Sequence, residues 1–162
     1  MFYFFETYKC KIDDKGRIKL PLPLAKYLSQ LSDKQLVVKR AVFQKCLEVY
    51  PMEPWEKQMT KINELNRFIK KNTDFIRMFT AGVKTTEPDK AERILIPKDL
   101  KTFASLEKEI VISGVGEFFE IWNKDDYEEN IATNETDFAK LTEDVMGSPL
   151  SPEGGNYGKN DV

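Results

Sequence analysis

Two aspartate–arginine pairs with the same spacing are the residues best suited to recognise a ligand. Asp13 and Arg17 form the first pair, and Asp89 and Arg93 form the second, with three residues between the two members of each. A guanidinium group carries five N–H donors in a planar fork, which suits it to carboxylates, phosphates and base edges. A single pair is typical of a turn in which the aspartate binds nearby backbone N–H groups. Its recurrence indicates a surface that the chain presents twice.

The charges of the chain are unevenly distributed. Between Lys9 and Lys19 there are five bases and two acids, whereas between Asn123 and Met146 there are eight acids and two bases. The net charge of −2 is therefore compatible with a local basic surface. We expect the acidic segment to lie away from any polyanion that this surface binds.

The composition excludes several kinds of catalytic and metal site. The chain contains no histidine, which removes histidine-based acid–base catalysis, Ser-His-Asp triads and most zinc sites. Cys10 and Cys46 belong to no Cys-x-x-Cys motif and are expected to be core thiols. The carboxylates of Asp13, Asp14 and Asp89 come without a nucleophile or a group of oxyanion donors, which favours a role in turns. We therefore expect no enzymatic activity, no cofactor and no metal.

The chain contains an internal repeat with an offset of 76 positions. Within the segments 11–28 and 86–103, Asp13 matches Asp89, Arg17 matches Arg93 and Pro21 matches Pro97, each pair 76 positions apart. We expect two tandem halves, at 1–82 and 83–146. The segment 147–162 is rich in Gly, Ser, Pro and Asn and is expected to be a disordered tail.

Each half predicts the same order of short elements, which must position its arginine. A short alternating strand begins at the arginine and ends at the proline, and the proline begins a helix. The predicted strands and helices are 17–20, 22–30, 35–40, 46–50, 93–96, 98–104, 109–113 and 118–122. A long amphipathic helix is predicted over 54–71, followed by a short one over 74–81 that is capped by Asp74 and stopped by Gly82. Two acidic helices are predicted at 125–131 and 135–146.

No segment predicts contact with a membrane. The longest apolar runs are far too short to span a bilayer. The N-terminus has no basic segment before its apolar residues and no small-residue cleavage site, so it does not resemble a signal peptide. We expect a cytoplasmic protein without a membrane partner.

Five motifs in succession strongly resemble the MraZ family of AbrB/SpoVT-like DNA-binding proteins. In chain order they read IDDKGRIKLP, CLEVYP, FIRMFTAG, DKAERILIP and FEIW, and the likeness extends from Met1 to about Met146. The resemblance implies an α+β, β-dominated fold in which two AbrB/SpoVT-like halves form a pseudo-two-fold, β-barrel-like domain with flanking helices. It also implies a ring-like homo-oligomer that binds double-stranded DNA at promoter repeats upstream of the division and cell-wall gene cluster, in association with the nucleoid.

The resemblance also assigns roles to individual residues. The arginines that face DNA in the family fall on Arg17 and Arg93, with Asp13 and Asp89 as their structural partners. The lysines expected to contact phosphates are Lys15, Lys11 and Lys90.

One position departs from the family pattern. Gly16 precedes the first arginine as in the family, but Glu92 precedes the second. A side chain makes a turn with positive φ costlier, and a carboxylate repels phosphates. The second half is therefore expected either to bind DNA more weakly or to hold its loop differently.

The sequence suggests one subunit contact and leaves two alternative functions open. The apolar N-terminal residues Phe2, Phe4 and Phe5 suggest a strand that pairs across a subunit edge. An alternative function is a non-catalytic oligomeric scaffold whose acidic face binds a protein partner. A second alternative is an enzyme that uses the carboxylates.

Overall fold

The computed structural model describes residues 4–135 and 137–147. Within these residues the chain forms a strand-rich α+β fold whose elements alternate along the sequence. In chain order the elements are β1 (Thr7–Lys11), β2 (Arg17–Lys19), α1 (Leu22–Ser29), β3 (Leu36–Arg40), β4 (Leu47–Pro51), α2 (Met52–Asn63), α3 (Lys70–Thr80), β5 (Lys84–Thr86), β6 (Arg93–Leu95), α4 (Lys98–Phe103), β7 (Glu109–Gly114), β8 (Phe119–Asn123), α5 (Lys124–Glu135) and α6 (Phe138–Met146).

The strands of the two halves are interleaved in one antiparallel sheet. Its order is β1-β7-β8-β4-β3-β5, and a separate two-stranded sheet pairs β2 with β6. The repeat makes β5, β6, β7 and β8 the counterparts of β1, β2, β3 and β4. Replacing each strand by its counterpart gives the order β5-β3-β4-β8-β7-β1, which is the original order reversed. The topology therefore has the two-fold pseudo-symmetry that the internal repeat predicts.

Each half supplies an edge strand to the other half. In the sheet, β1 pairs with β7, and its counterpart β5 pairs with β3. Of the described residues, those up to Lys124 belong to one compact unit and those from Asp125 onwards belong to a second. The two sequence repeats are consequently not separate bodies within the first unit.

The core of the first unit lies between the large sheet, the small sheet and the short helices α1 and α4. Ile18 and Ile94 from the small sheet, and Leu24 and Leu100 from the two helices, are all buried in it. They pack in one cluster with buried side chains of the large sheet such as Val38. Because Ile18 and Ile94 are buried while the residues on either side of each are partly or fully exposed, only one face of the small sheet enters this core.

The strand and helix predictions agree closely with the structure in the repeated segments. The helices predicted at 22–30 and 98–104 each end one residue earlier than predicted, and both begin after the expected proline. The predicted hairpin between β7 and β8 is present, with Gly116 at φ +104° in its turn. These elements depend on local signals, such as a proline, a glycine or an alternating pattern.

The single helix predicted over 54–71 is wrong. Helix α2 ends at Asn63, and α3 begins only at Lys70. Between them, the Oδ1 atom of Asn66 accepts a hydrogen bond from the backbone N–H of Phe68 at 2.9 Å. This Asx turn competes with the helical hydrogen bonds and interrupts an apolar spacing that otherwise continues.

The predicted start of the next helix at Asp74 is also wrong. Asp74 lies inside α3, where its carboxylate accepts hydrogen bonds from Lys70 at 2.6 Å and from Arg77 at 3.0 Å. These side chains are one turn away on either side, so the aspartate stabilises the helix interior instead of capping its start. The helix ends at Thr80, and Gly82 follows at φ +77°, as predicted.

Of the N-terminal residues predicted to pair across a subunit edge, Phe4 pairs within its own chain, and the intersubunit strand stays a prediction. Phe4 is buried, and it exchanges two backbone hydrogen bonds with Gly116 of the same chain, at 2.7 and 2.8 Å. Phe5 is exposed, and Phe2 lies outside the described residues. The predicted tail, apart from Gly147, also lies outside them. Among the described strands β1 and β5 end the large sheet without pairing to each other, so the barrel-like arrangement remains a prediction.

Candidate nucleic-acid interface

The first Asp-x-x-x-Arg signature is a tight loop organised by one carboxylate. The Oδ1 atom of Asp13 accepts hydrogen bonds from the backbone N–H groups of Lys15 at 3.0 Å and Arg17 at 2.8 Å. Its Oδ2 atom accepts a third from the Nε atom of Arg17 at 2.7 Å. The loop is closed by backbone bonds between Asp13 and Arg17 and between Gly16 and Asp13. The aspartate thus shapes the turn and holds the guanidinium group that follows it.

The second signature repeats these contacts. Asp89 accepts hydrogen bonds from the backbone N–H groups of Ala91 at 2.8 Å and Arg93 at 2.9 Å, and from the Nε atom of Arg93 at 2.9 Å. The backbone closures are the same as in the first loop. The expectation that Glu92 changes how this loop is held is therefore wrong for its hydrogen bonds. Whether the second half binds DNA more weakly stays a prediction.

The two arginines are brought together by the pairing of β2 with β6. The register is antiparallel, with Arg17 opposite Leu95, Ile18 opposite Ile94, and Lys19 opposite Arg93. Since side chains alternate along a strand, the two isoleucines share the buried face. The opposite face of this ribbon presents four side chains to solvent: Arg17, Lys19, Arg93 and Leu95.

Each loop is also anchored to the strand of the other half. The carbonyl of Gly16 accepts the N–H of Ile96 at 2.7 Å, and the carbonyl of Glu92 accepts the N–H of Leu20 at 2.9 Å. Both anchoring residues have positive φ, +83° for Gly16 and +61° for Glu92. A side chain at Gly16 would place its Cβ atom 2.5 Å from the carbonyl oxygen of Ile96, so only glycine fits there.

The electrostatics of the two loops favour fully charged groups. Hydrogen bonds from the backbone N–H of Arg17 and from its side chain hold the pKa of the Asp13 carboxyl below its usual range. The equivalent bonds from Arg93 lower the pKa of Asp89. The Nε atom of each arginine donates its hydrogen bond to the paired aspartate. The Nη atoms make no hydrogen bond to any residue that the structure describes. Four donors on each guanidinium group remain for a ligand.

The predicted phosphate-binding lysines occupy two different places. Lys15 and Lys90 are exposed within the first and second loops, so the structure brings them beside the arginines in sequence and in space. Lys11 instead ends β1, in register with Glu109 of the large sheet. Lys19 is a ribbon residue that the predicted site omits. The alternation of β2 was the signal that would have placed it on the same face as Arg17.

The described residues form neither a metal-binding cluster nor a disulfide. Among residues 4–135 and 137–147, no group of three or more His, Cys, Asp or Glu side chains is placed to hold a metal ion. Cys10 and Cys46 are free thiols, and burial raises the pKa of both. In the part of the chain that the structure describes, no helix is long and apolar enough to cross a membrane.

A family model covers both halves of this arrangement. The model of the MraZ protein, described as antitoxin-like, matches residues 3–78 and again residues 78–147. The chain belongs to the MraZ family. The two matches divide the chain into tandem copies, each containing one Asp-x-x-x-Arg loop and one strand of the ribbon.

Relatives from this family match the chain over nearly its whole length. Transcriptional regulator MraZ of Christiangramia forsetii is 56% identical over 142 residues, which are 88% of this chain and 92% of the relative. The protein of the same name from Flavobacterium psychrophilum is 54% identical over 149 residues, 92% of this chain and 95% of the relative. That of Cytophaga hutchinsonii is 34% identical over 146 residues, 90% of this chain and 96% of the relative.

Proposed function

We propose that this chain is a sequence-specific, non-catalytic DNA-binding regulator of transcription, and that the β2–β6 ribbon is the surface that contacts DNA. One observation carries the proposal. Two arginines, each held through Nε by its own aspartate, lie on the same exposed face of a two-stranded ribbon. Transcriptional regulation, the role for which the relatives are named, supports the same conclusion.

A two-stranded ribbon that carries arginines on its exposed face suits the major groove. The major groove of B-form DNA admits a two-stranded β-ribbon, and arginine binds the O6 and N7 atoms of guanine through two hydrogen bonds. Because Arg17 and Arg93 are preorganised by aspartates, little side-chain freedom is lost when they bind. The lysines Lys15, Lys19 and Lys90 would contact phosphates and fix the register without reading sequence. Lys11 is the least direct of the proposed contacts, because it lies in the other sheet.

The proposal is tested by measuring DNA binding with fluorescence anisotropy. A labelled duplex with the DNA upstream of the chain's own gene is compared with a scrambled duplex at physiological salt. We expect tight, salt-sensitive binding to the first, and loss of preference in Arg17→Ala and in Arg93→Ala. Each lost bidentate base contact should cost about 1–3 kcal/mol, or roughly 5- to 150-fold in affinity.

The matched control is Arg67→Ala, a surface arginine of the segment between α2 and α3 whose side chain bonds Asn63. It removes the same charge and should leave the preference intact. Equal, weak binding to both duplexes that no arginine substitution changes would contradict the proposal. It would favour the alternative of an oligomeric scaffold for a protein partner.

We infer two further features of this regulator from its family. Its targets are repeated sites upstream of the division and cell-wall gene cluster, including its own gene, which it reaches as a cytoplasmic protein associated with the nucleoid. It acts as a ring-like homo-oligomer with the barrel-like, pseudo-two-fold fold of the family. Several ribbons meeting several DNA repeats would raise the avidity by roughly 10²–10⁴ over a single contact.

A further inference from the structure

An open depression of about 690 Å³ lies beside the first loop. Three lysines line it: Lys15 from the loop, and Lys98 and Lys101 from α4. Two carboxylates, those of Asp14 and Glu107, also line it and leave the lining with a net charge of +1. The depression therefore combines a residue of the proposed DNA surface with two lysines that lie more than 80 positions further along the chain.

The hydrogen bonds between the two halves explain why these lysines line the same depression. The hydrogen bond from Ile96 to the carbonyl of Gly16 fixes the end of β6 against the first loop. Pro97 then caps α4, which begins at Lys98. Lys98 and Lys101 are three residues apart, so both lie on the same side of this helix.

Among the described residues, neither lysine of α4 has an ion-pair partner that would account for its position. Lys98 is exposed and Lys101 is partly exposed. Two hydroxyl residues, Thr102 and Ser105, line the same depression. Ser105 adopts φ +52° directly after α4, a position where glycine is the usual residue. Lysines with neighbouring hydroxyl groups are the donors that proteins commonly use for DNA phosphates.

The second loop lacks this set of lysines. At the repeat offset of 76, the residues matching Lys98 and Lys101 are Leu22 and Ala25. Helix α1 does carry Lys26, but that side chain lines a different, largely apolar cavity together with Tyr8. The two pseudo-symmetric loops are thus chemically unequal, although their hydrogen bonds are the same.

We propose that Lys98 and Lys101 form, with Lys15, a phosphate-binding site that flanks the base-contacting face of the ribbon at the first loop only. The inference rests on the proposed function, because the ligand is the backbone of the DNA that the ribbon reads. Such a site gives the chain a polarity on DNA. The first loop binds its side of the duplex through more phosphates than the second loop does.

The site is tested by the salt dependence of binding in Lys98→Gln/Lys101→Gln. With the same two labelled duplexes, the affinity of this variant is compared with that of the wild type across a salt series. Two lost phosphate contacts should reduce the slope of log affinity against log salt by about 2. The wild type should then lose roughly tenfold more affinity than the variant between about 50 and 200 mM salt. Native and scrambled duplexes should be affected equally.

Two further variants keep the result specific. Lys61→Gln/Lys71→Gln removes the same charge from exposed positions on α2 and α3, and should leave the slope unchanged. Leu22→Lys places a lysine on α1 where α4 carries Lys98. Leu22 is 71% exposed, so this variant should fold normally and steepen the slope by about 1.

The outcomes separate this inference from the proposed function. The proposed function stands if the wild type prefers its native duplex and Arg17→Ala abolishes that preference. The site beside α4 is nevertheless refuted if Lys61→Gln/Lys71→Gln reduces the salt slope as much as Lys98→Gln/Lys101→Gln does. An unchanged slope in Lys98→Gln/Lys101→Gln refutes it as well. If the wild type binds neither duplex, both proposals fail. Circular dichroism of each variant shows whether its fold is intact.

Discussion

At the residue scale, the two signatures combine a structural and a recognition role in one short loop. Each aspartate accepts two backbone N–H groups and one guanidinium Nε, so the turn and the arginine are positioned by the same carboxylate. Hydrogen bonds to the charged form lower the pKa of both carboxyls, so they stay ionised to a lower pH than an unperturbed aspartate would. A lysine cannot replace either arginine in this role, because it lacks a second, separate set of donors for a ligand.

Gly16 and Glu92 precede the two arginines, and both have positive φ, but they should respond differently to substitution by alanine. In Gly16→Ala the new Cβ atom would lie 2.5 Å from the backbone oxygen of Ile96, at a φ that side chains disfavour. Backbone cannot move aside as a flexible side chain does, so we expect a loss of about 2 kcal/mol of stability. We also expect weaker DNA binding. Urea denaturation and anisotropy measure the two effects.

The matched variant is Glu92→Ala, in which an exposed side chain is shortened and the backbone keeps a Cβ atom. Its stability should stay within about 0.5 kcal/mol of the wild type. Its DNA affinity should rise, since a carboxylate next to the proposed phosphate contacts is removed. Equal destabilisation by both variants would show that the close approach at Gly16 is not what restricts that position.

At the scale of elements, the ribbon depends on the core beneath it. A pair of three-residue strands is too short to be stable alone, so its buried face must supply the stability. Ile18 and Ile94 are opposite each other in the register, and neither is accessible to solvent. The arginines are thus held at a fixed spacing by apolar contacts on the other side of the same strands.

We therefore predict that Ile18→Ala and Ile94→Ala each cost about 2–5 kcal/mol of unfolding free energy. Because the two side chains face the same part of the core, the double variant should deviate from additivity by at least about 0.5 kcal/mol. Urea denaturation at one fixed protein concentration measures both quantities. Leu95→Ala, on the exposed face, is the control and should change stability by less than about 0.5 kcal/mol. If Ile18→Ala and Ile94→Ala lowered the unfolding free energy as little as Leu95→Ala does, the buried isoleucines would not be what stabilises the ribbon.

At the scale of the whole molecule, the first unit exposes apolar side chains that suit contact with a second copy. Val42, Phe43, Phe75 and Met78 line one open cavity of about 530 Å³ between the β3–β4 turn and α3. Phe43 is 91% exposed, and contiguous apolar surface of this kind marks interaction sites in soluble proteins. This surface supports the proposed homo-oligomer, in which several ribbons act on one stretch of DNA.

The corresponding prediction concerns the mass in solution. Multi-angle light scattering should give a multiple of the 18.8 kDa chain mass for the wild type. Phe43→Ser/Met78→Ser should lower that mass, because polar groups replace the apolar contact area. Phe68→Ser is the control: this phenylalanine is also fully exposed, but it does not line the cavity. A monomeric wild type, or an equal response of all variants, would contradict the prediction.

Features that depend on neighbours within a few residues could be predicted from the amino-acid sequence. These features include the prolines before α1 and α4, the alternation of β2 and β6, and the two Asp-x-x-x-Arg loops. The hydrogen bonds that the aspartates accept join residues no more than four positions apart. Repetition of the same local signals at an offset of 76 was enough to predict two similar halves. The local signal that was missed is the turn at Asn66, where a side-chain acceptor outweighed a continuing apolar pattern.

The contacts between distant segments, in contrast, could be read only from the fold. No local pattern indicates that β2 pairs with β6, that Phe4 binds Gly116, or that Lys98 and Lys15 line one depression. Each of these arrangements brings together residues more than 70 positions apart. They arise because each half buries its apolar strand faces against the other half, and the exchange of edge strands is the arrangement that pairs their backbone groups. The spacing and surroundings of the two arginines follow from that exchange.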